Sequence, residues 1–207
     1  MFTDTVTTAA VLREMAGEPG DLARAKQRDR LDTHCRAFIA RSPFLLLATA
    51  NARGQCDVSP KGDVPGFVLV LDDTHLVVPD RPGNRRFDGM QNILANPHVG
   101  LIFLVPGAGE TLRVNGRAVI TREPALLARM AVEGRAPRLA IGVEVEECFM
   151  HCAKALRRSH LWDPAKWPDL AGVPTGAEML QDQAKGLGMT RADLERRLGE
   201  SYARPLY

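Results

Sequence analysis

Between Leu112 and Thr121 lies the cleanest period-two alternation in the chain. Leu112, Val114, Gly116, Ala118 and Ile120 fall on one parity, and Arg113, Asn115, Arg117 and Thr121 on the other. Such alternation puts apolar residues on one face of a strand and polar ones on the other, and it is incompatible with a helix. Two continuous apolar runs, Phe44 to Ala50 and Val99 to Val105, are strand-sized and far too short to span a membrane. The run 44–50 reads as a strand buried on both faces.

Further strands are expected at 55–59, after the turn Asn51-Ala52-Arg53-Gly54, at 66–71 and 75–79 around Asp72-Asp73-Thr74, and at 139–145, with Ile141, Val143 and Val145 inward. Helical spacing is read over residues 8–40, with Asp21 as an N-cap and Leu22, Ala25, Leu31, Cys35, Phe38 and Ile39 as the apolar stripe. Arg41-Ser42-Pro43 ends that helical region, because a proline disfavours helix at the residue before it. Helices are also expected at 85–96 (Phe87, Met90 and Leu94 inward), 124–133, 149–158 and 191–203. Strands and helices do not alternate regularly, which excludes a doubly wound parallel sheet and favours a closed or split antiparallel barrel. The divisions expected are an N-terminal helical extension (1–41), a barrel (42–160) and a tail with a helix (161–207).

A chain of 207 residues can bury a core without disulfides or metals. Its net charge of +2 lacks the basic excess of a nucleic-acid-binding domain, so no such partner is expected. Four cysteines do not form a disulfide framework at this length, and Met1-Phe2-Thr3-Asp4 does not begin a signal peptide. A cytoplasmic protein with no membrane partner is expected. Cys148, His151, Cys152 and His160 lack the knuckle spacing of a zinc site, so they read as reduced thiols and packing residues, and no metal is expected.

Two segments carry binding chemistry. Ser59 and Lys61 lie two apart on a strand and so share a face, with Val58 on the other. Pro60 cannot donate to a ladder and is expected at a strand end that leaves an edge open. Asp80-Arg81-Pro82-Gly83-Asn84-Arg85-Arg86 opens the 85–96 helix, where free amides, the helix dipole and two arginines suit a phosphate.

Several strings together resemble the pyridoxamine 5'-phosphate oxidase-like flavoproteins. They include Asp57-Val58-Ser59-Pro60-Lys61-Gly62-Asp63, Pro79-Asp80-Arg81-Pro82-Gly83-Asn84, Asn92-Ile93-Leu94-Ala95-Asn96-Pro97-His98-Val99-Gly100, Leu112-Arg113-Val114-Asn115-Gly116-Arg117, His151-Cys152-Ala153-Lys154-Ala155 and Leu161-Trp162-Asp163-Pro164. The resemblance covers roughly residues 20–205. It implies a mainly β fold with added helices, a six-stranded antiparallel split β-barrel, and a homodimer with one FMN at each of two sites across the interface.

Carried over residue by residue, Asn84 and Arg86, with Arg85 beside them, match the phosphate end. Ser59, Lys61, Val78 and Asp80 match the strands lining the cofactor, and Asn115 lies near the ring. Lys154 and Trp162 match contributions from the second subunit. Lys61 or Lys154 would place a cation by the flavin's pyrimidine edge and raise its potential, with no protein nucleophile required. Arg85 departs from the amide more common in this subgroup. Ser201-Tyr202-Ala203-Arg204-Pro205-Leu206-Tyr207 lacks the substrate-holding pattern of true pyridoxamine-phosphate oxidases, so vitamin B6 chemistry is not expected. The expected function is an FMN-dependent oxidoreductase acting on a small molecule in the dimer cleft. The alternatives are a non-catalytic flavin, deazaflavin or haem carrier or sensor on the same barrel, and a flavin-free interaction module.

Overall fold

A computed structural model describes all 207 residues. Seven strands form one antiparallel sheet: β1 (Phe44–Ala50), β2 (Cys56–Gly62), β3 (Leu69–Val70), β4 (His75–Pro79), β5 (His98–Leu104), β6 (Thr111–Thr121) and β7 (Ala140–His151). Their order is β2-β1-β5-β6-β7-β4-β3, so β2 and β3 are edges and the barrel stays split. The seventh strand is the two-residue β3, where a longer strand over 66–71 was expected; Phe67 and Val68 are buried outside any ladder. The sheet curls around a cluster of twenty buried residues, including Leu45, Leu47, Leu101, Phe103, Val114, Ile141 and Cys148, with a separate cluster of four, Val77, Leu127, Met130 and Ala140, beside it.

The alternation of β6 is realised as expected, with Leu112, Val114 and Ala118 buried and Arg113, Asn115 and Arg117 on the other face. Opposite it, β7 carries a bulge: Asn115 faces Glu147 while Gly116 faces Val145, leaving Glu146 as the extra residue. The bulge resets the parity of β7, so that Val145 and Cys148, three residues apart, both face the core. β7 therefore runs on to His151, and the helix expected from 149 begins only at Lys154 (α6, Lys154–Arg158). Gly116 is obligatory here. A Cβ on it would overlap the Glu144 carbonyl oxygen and lie 2.9 Å from the carbonyl carbon.

β1 is buried on one face only: Leu45, Leu47 and Thr49 point inward, while Phe44 and Leu46 are each 36% exposed. The continuous apolar run thus marks an uncovered outer face rather than a strand buried twice. Pro60 sits inside β2, opposite Leu46, and not at its end. It is tolerated because β2 is an edge strand with no neighbour awaiting its missing N–H.

The N-terminal helical region is three short helices, α1 (Ala9–Ala16), α2 (Asp21–Ala25) and α3 (Thr33–Ile39). Asp21 is the first residue of α2, behind Gly20, and it is Asp32 that caps a helix, accepting the Cys35 amide at 2.8 Å. The expected stripe breaks between α2 and α3, where Arg28 pairs with the backbone of Cys148; Leu22 is exposed while Leu31 and Ile39 are buried. The chain also contains α4 (Asp88–Ala95), α5 (Pro124–Ala128), α7 (Gly176–Gln183) and α8 (Arg191–Tyr202). Helices α7 and α8 each begin with a reciprocal capping box, Thr175/Glu178 and Thr190/Asp193, and an Arg191–Glu178 ion pair at 2.9 Å links them. No helix is long and apolar enough to cross a membrane.

Candidate functional site

Helix α4 lies against β1 and is fixed there by one buried polar contact, Asn92 Nδ2 donating to Thr49 Oγ1 at 3.0 Å. Its inward residues are Met90 and Ile93, whereas Leu94 and Phe87, expected inward, are exposed. The helix starts at Asp88, three residues later than the sequence implied, so Arg85 and Arg86 precede the first turn instead of occupying it. The physical reason is local: Arg85 and Phe87 both adopt left-handed backbone (φ 61° and 58°), which no helix accommodates. Asn84 stabilises this loop by accepting the Arg86 amide at 3.0 Å, and Gln91 donates to the Arg86 carbonyl at 3.0 Å. Phe87, at the N-cap, supplies no side-chain acceptor, so the first-turn amides of α4 have no cap.

This loop and β2 form opposite walls of a cleft of about 1200 Å³. Ser59, Lys61, Asp80, Asn84, Arg85 and Arg86 all line it. The parity argument for Ser59 and Lys61 holds: opposite Leu47 and Leu45 respectively, both are half-buried on one side of β2, while Val58 and Pro60 are exposed on the other. Val78 is buried in the core, 1% exposed, and does not line the cleft. Asn115 lies on the outer face of β6, where its amide donates to Glu147 Oε1 at 2.9 Å beside Arg113 at 3.2 Å. Lys154 is exposed at the start of α6, and Trp162 donates from its indole to the Ala108 carbonyl at 2.8 Å; neither reaches the cleft of its own chain.

Further wall residues lie outside the set expected from the sequence. Asp57, Arg81, Arg135, Arg138, Arg204 and Tyr207 also line the cleft, from β2, the β4–α4 loop, the β6–β7 connection and the segment after α8. Seven cationic side chains therefore face three carboxylates, Asp57, Asp80 and Asp88. Arg86 is held by Asp88 at 2.7 Å, while Lys61 and Arg85 are in ion-pair contact with no carboxylate. Burial pushes the Asp80 carboxyl up, and the nearby Lys61 ammonium partly opposes that shift. A cation-rich wall beside uncapped helix amides is the donor set that a phosphate monoester requires, so the residues present fit the phosphate end of a mononucleotide. The volume exceeds the roughly 300–1,000 Å³ typical of single-ligand pockets, leaving room for a second molecule.

Residues 31–152, more than half of the chain, match the family model described as pyridoxamine 5'-phosphate oxidase. The sequence matches none of the curated proteins it was compared with. Among solved structures, similar folds include a putative pyridoxamine 5'-phosphate oxidase from Lactobacillus delbrueckii, at 21% identity and TM-score 0.47, covering 59% of this chain and 95% of that one. HupZ from Group A Streptococcus has 20% identity and TM-score 0.46, with 57% of this chain and 92% of that one covered. HutZ from Vibrio cholerae, described as a heme storage protein, has 17% identity and TM-score 0.41, with 59% and 94% covered. The family match, which spans the whole sheet and α4, establishes that the chain belongs to the pyridoxamine 5'-phosphate oxidase family.

Proposed function

We propose that this protein is an FMN-dependent oxidoreductase acting on a small molecule. The observation that carries the reading is the convergence of Ser59 and Lys61 with Asn84, Arg85, Arg86 and the uncapped start of α4 on one cleft. When bound, the flavin supplies the hydride and electron chemistry, and the protein contributes position and electrostatics. Arg85, Arg86 and the α4 amides hold the phosphate. Lys61, beside Asp80, sets a positive field along the β2 wall that favours the reduced, anionic cofactor.

The reading includes a homodimer. The outer face of β2, β1 and β5 presents three apolar rows, Gly62–Phe44–Leu104, Pro60–Leu46–Ile102 and Val58–Ala48–Gly100. A continuous exposed face of this kind is suited to burial against a second copy. In that dimer Lys154 and Trp162 act on the partner's cleft.

A carrier or sensor of flavin, deazaflavin or haem is the competing reading. Its haem form is disfavoured because neither histidine nor cysteine lines the cleft, and the one tyrosine that does, Tyr207, has its hydroxyl committed to Asp63. Mass spectrometry of the ligand released on denaturation separates FMN from deazaflavin, and reduction by NAD(P)H followed by turnover of an acceptor separates enzyme from carrier. For the site, Arg86→Ala is expected to weaken FMN binding about tenfold or more, the scale of one charge-assisted hydrogen bond. Arg117→Ala, whose side chain lies beside His98 outside the cleft, serves as the control. Equal FMN retention in both variants would refute the phosphate placement.

A further inference from the structure

The segment after α8 turns back so that Ser201, Arg204, Pro205, Leu206 and Tyr207 form one wall of the cleft. Tyr207 is tied at three points. Its hydroxyl donates to Asp63 Oδ1, its ring lies 5.4 Å from the Arg81 guanidinium, and its carbonyl accepts from Arg135 Nη1.

Asp63 is the centre of this arrangement. It follows β2 directly, and its side chain is 0% exposed. Both oxygens are satisfied: Oδ1 accepts the Val64 amide at 2.7 Å and the Tyr207 hydroxyl, and Oδ2 accepts Arg81 Nε at 2.5 Å. A carboxylate removed from water is tolerated only with partners of this kind, so the three side chains stand or fall together. Arg81 sits at the root of the loop that carries Asn84, Arg85 and Arg86. That loop is not helical and holds Arg85 in left-handed backbone, so its position depends on anchors at its ends.

We propose that Asp63, Arg81 and Tyr207 form a buckle that positions the 80–86 segment, making the segment after α8 a working wall of the ligand site. The assignment rests on reading that cleft as the cofactor site. All three are positioning residues: they act through the loop, and the loop holds the ligand. The buckle also joins the end of β2, behind Ser59 and Lys61, to the opposite wall, so it sets the width of the cleft between them.

The test uses the full chain with Tyr207→Phe, which keeps the ring and removes the hydroxyl, and Tyr207→Ala, which removes both. FMN release is followed by the change in flavin fluorescence, and backbone hydrogen exchange is measured residue by residue without ligand. Tyr207→Phe is expected to release FMN about tenfold faster, as the loss of a hydrogen bond to a charged group implies, and Tyr207→Ala, which also loses the ring, faster still. Exchange is expected to quicken in residues 80–88 while the β5–β6 ladder keeps its wild-type protection, a pattern that general destabilisation would not give. Unchanged exchange over 80–88 in both variants overturns the buckle. If the wild-type protein takes up no FMN, the cofactor reading fails on its own, and the exchange measurement still decides the buckle.

Discussion

Replacing Gly116 by alanine tests the architecture at its tightest point. The added methyl would overlap the Glu144 carbonyl oxygen, stand 2.9 Å from its carbon and lie 3.2 Å from the Val145 Cα. All three are backbone atoms, so no rotamer change relieves the contact, and β6 and β7 must separate at the bulge. Separation breaks ladder hydrogen bonds at about 1 kcal/mol each and unpacks Val114 and Val145, which are 0% and 5% exposed. With the overpacking cost of about 1–3 kcal/mol added, the loss is about 3 kcal/mol or more. For a chain of this size that corresponds to roughly 6–12 °C in Tm. Gly142→Ala is the control, because it lies in the same β7 ladder and its Cβ would meet only the Val119 side chain, at 3.4 Å. Both variants reduce the entropy of the unfolded chain alike, so their difference isolates the clash. Urea unfolding of the two proteins gives that difference directly. A gap under about 1 kcal/mol would refute the argument that the bulge demands glycine.

Thr49→Val preserves shape but leaves the Asn92 amide without its acceptor, and is expected to cost about 1–3 kcal/mol in urea unfolding and to loosen α4 from β1; no loss would show that the contact does not hold the helix. Burial acts to raise the Asp63 carboxyl, but the Tyr207 hydroxyl, the Val64 amide and Arg81 outweigh it and hold the group below the usual carboxylate range. Its stabilisation is therefore fully present above that range and is lost as pH falls through the depressed value. The stability gap between wild type and Asp63→Asn should be widest near neutrality and should shrink between about pH 5 and pH 2. A gap independent of pH, read from Tm across that range, would contradict the assignment.

Local patterns were enough for some of this molecule. The alternation from Leu112 to Ile120 and the parity of Ser59 and Lys61 survive folding, because a strand's side chains must alternate whatever lies beside it. Helical periodicity was less secure. Phe87 and Leu94 have helical spacing with Met90, yet of the three only Met90 is buried, and Ile93 joins it, because the left-handed backbone at Arg85 and Phe87 delays the helix and leaves Phe87 outside it. The uninterrupted run in β1 could not distinguish a strand covered twice from one with an exposed apolar face. The end of β7 was hidden for another reason: a bulge breaks the period-two signal on which strand reading depends.

The amino-acid order thus determines by itself that β6 alternates, which parity of β2 carries the hydroxyl and the ammonium, and which family the motifs resemble. Tertiary structure alone decides that Arg135, Arg138, Arg204 and Tyr207 share a cleft with Lys61 and Arg85, since those residues are far apart along the chain. The same holds for Asp63, an ordinary residue in the sequence. It becomes a buried anchor only when Arg81, 18 residues away, and Tyr207, 144 residues away, close over it. Periodicity records each residue's relation to its own strand or helix, whereas the desolvation of a charge depends on whatever the rest of the chain brings against it.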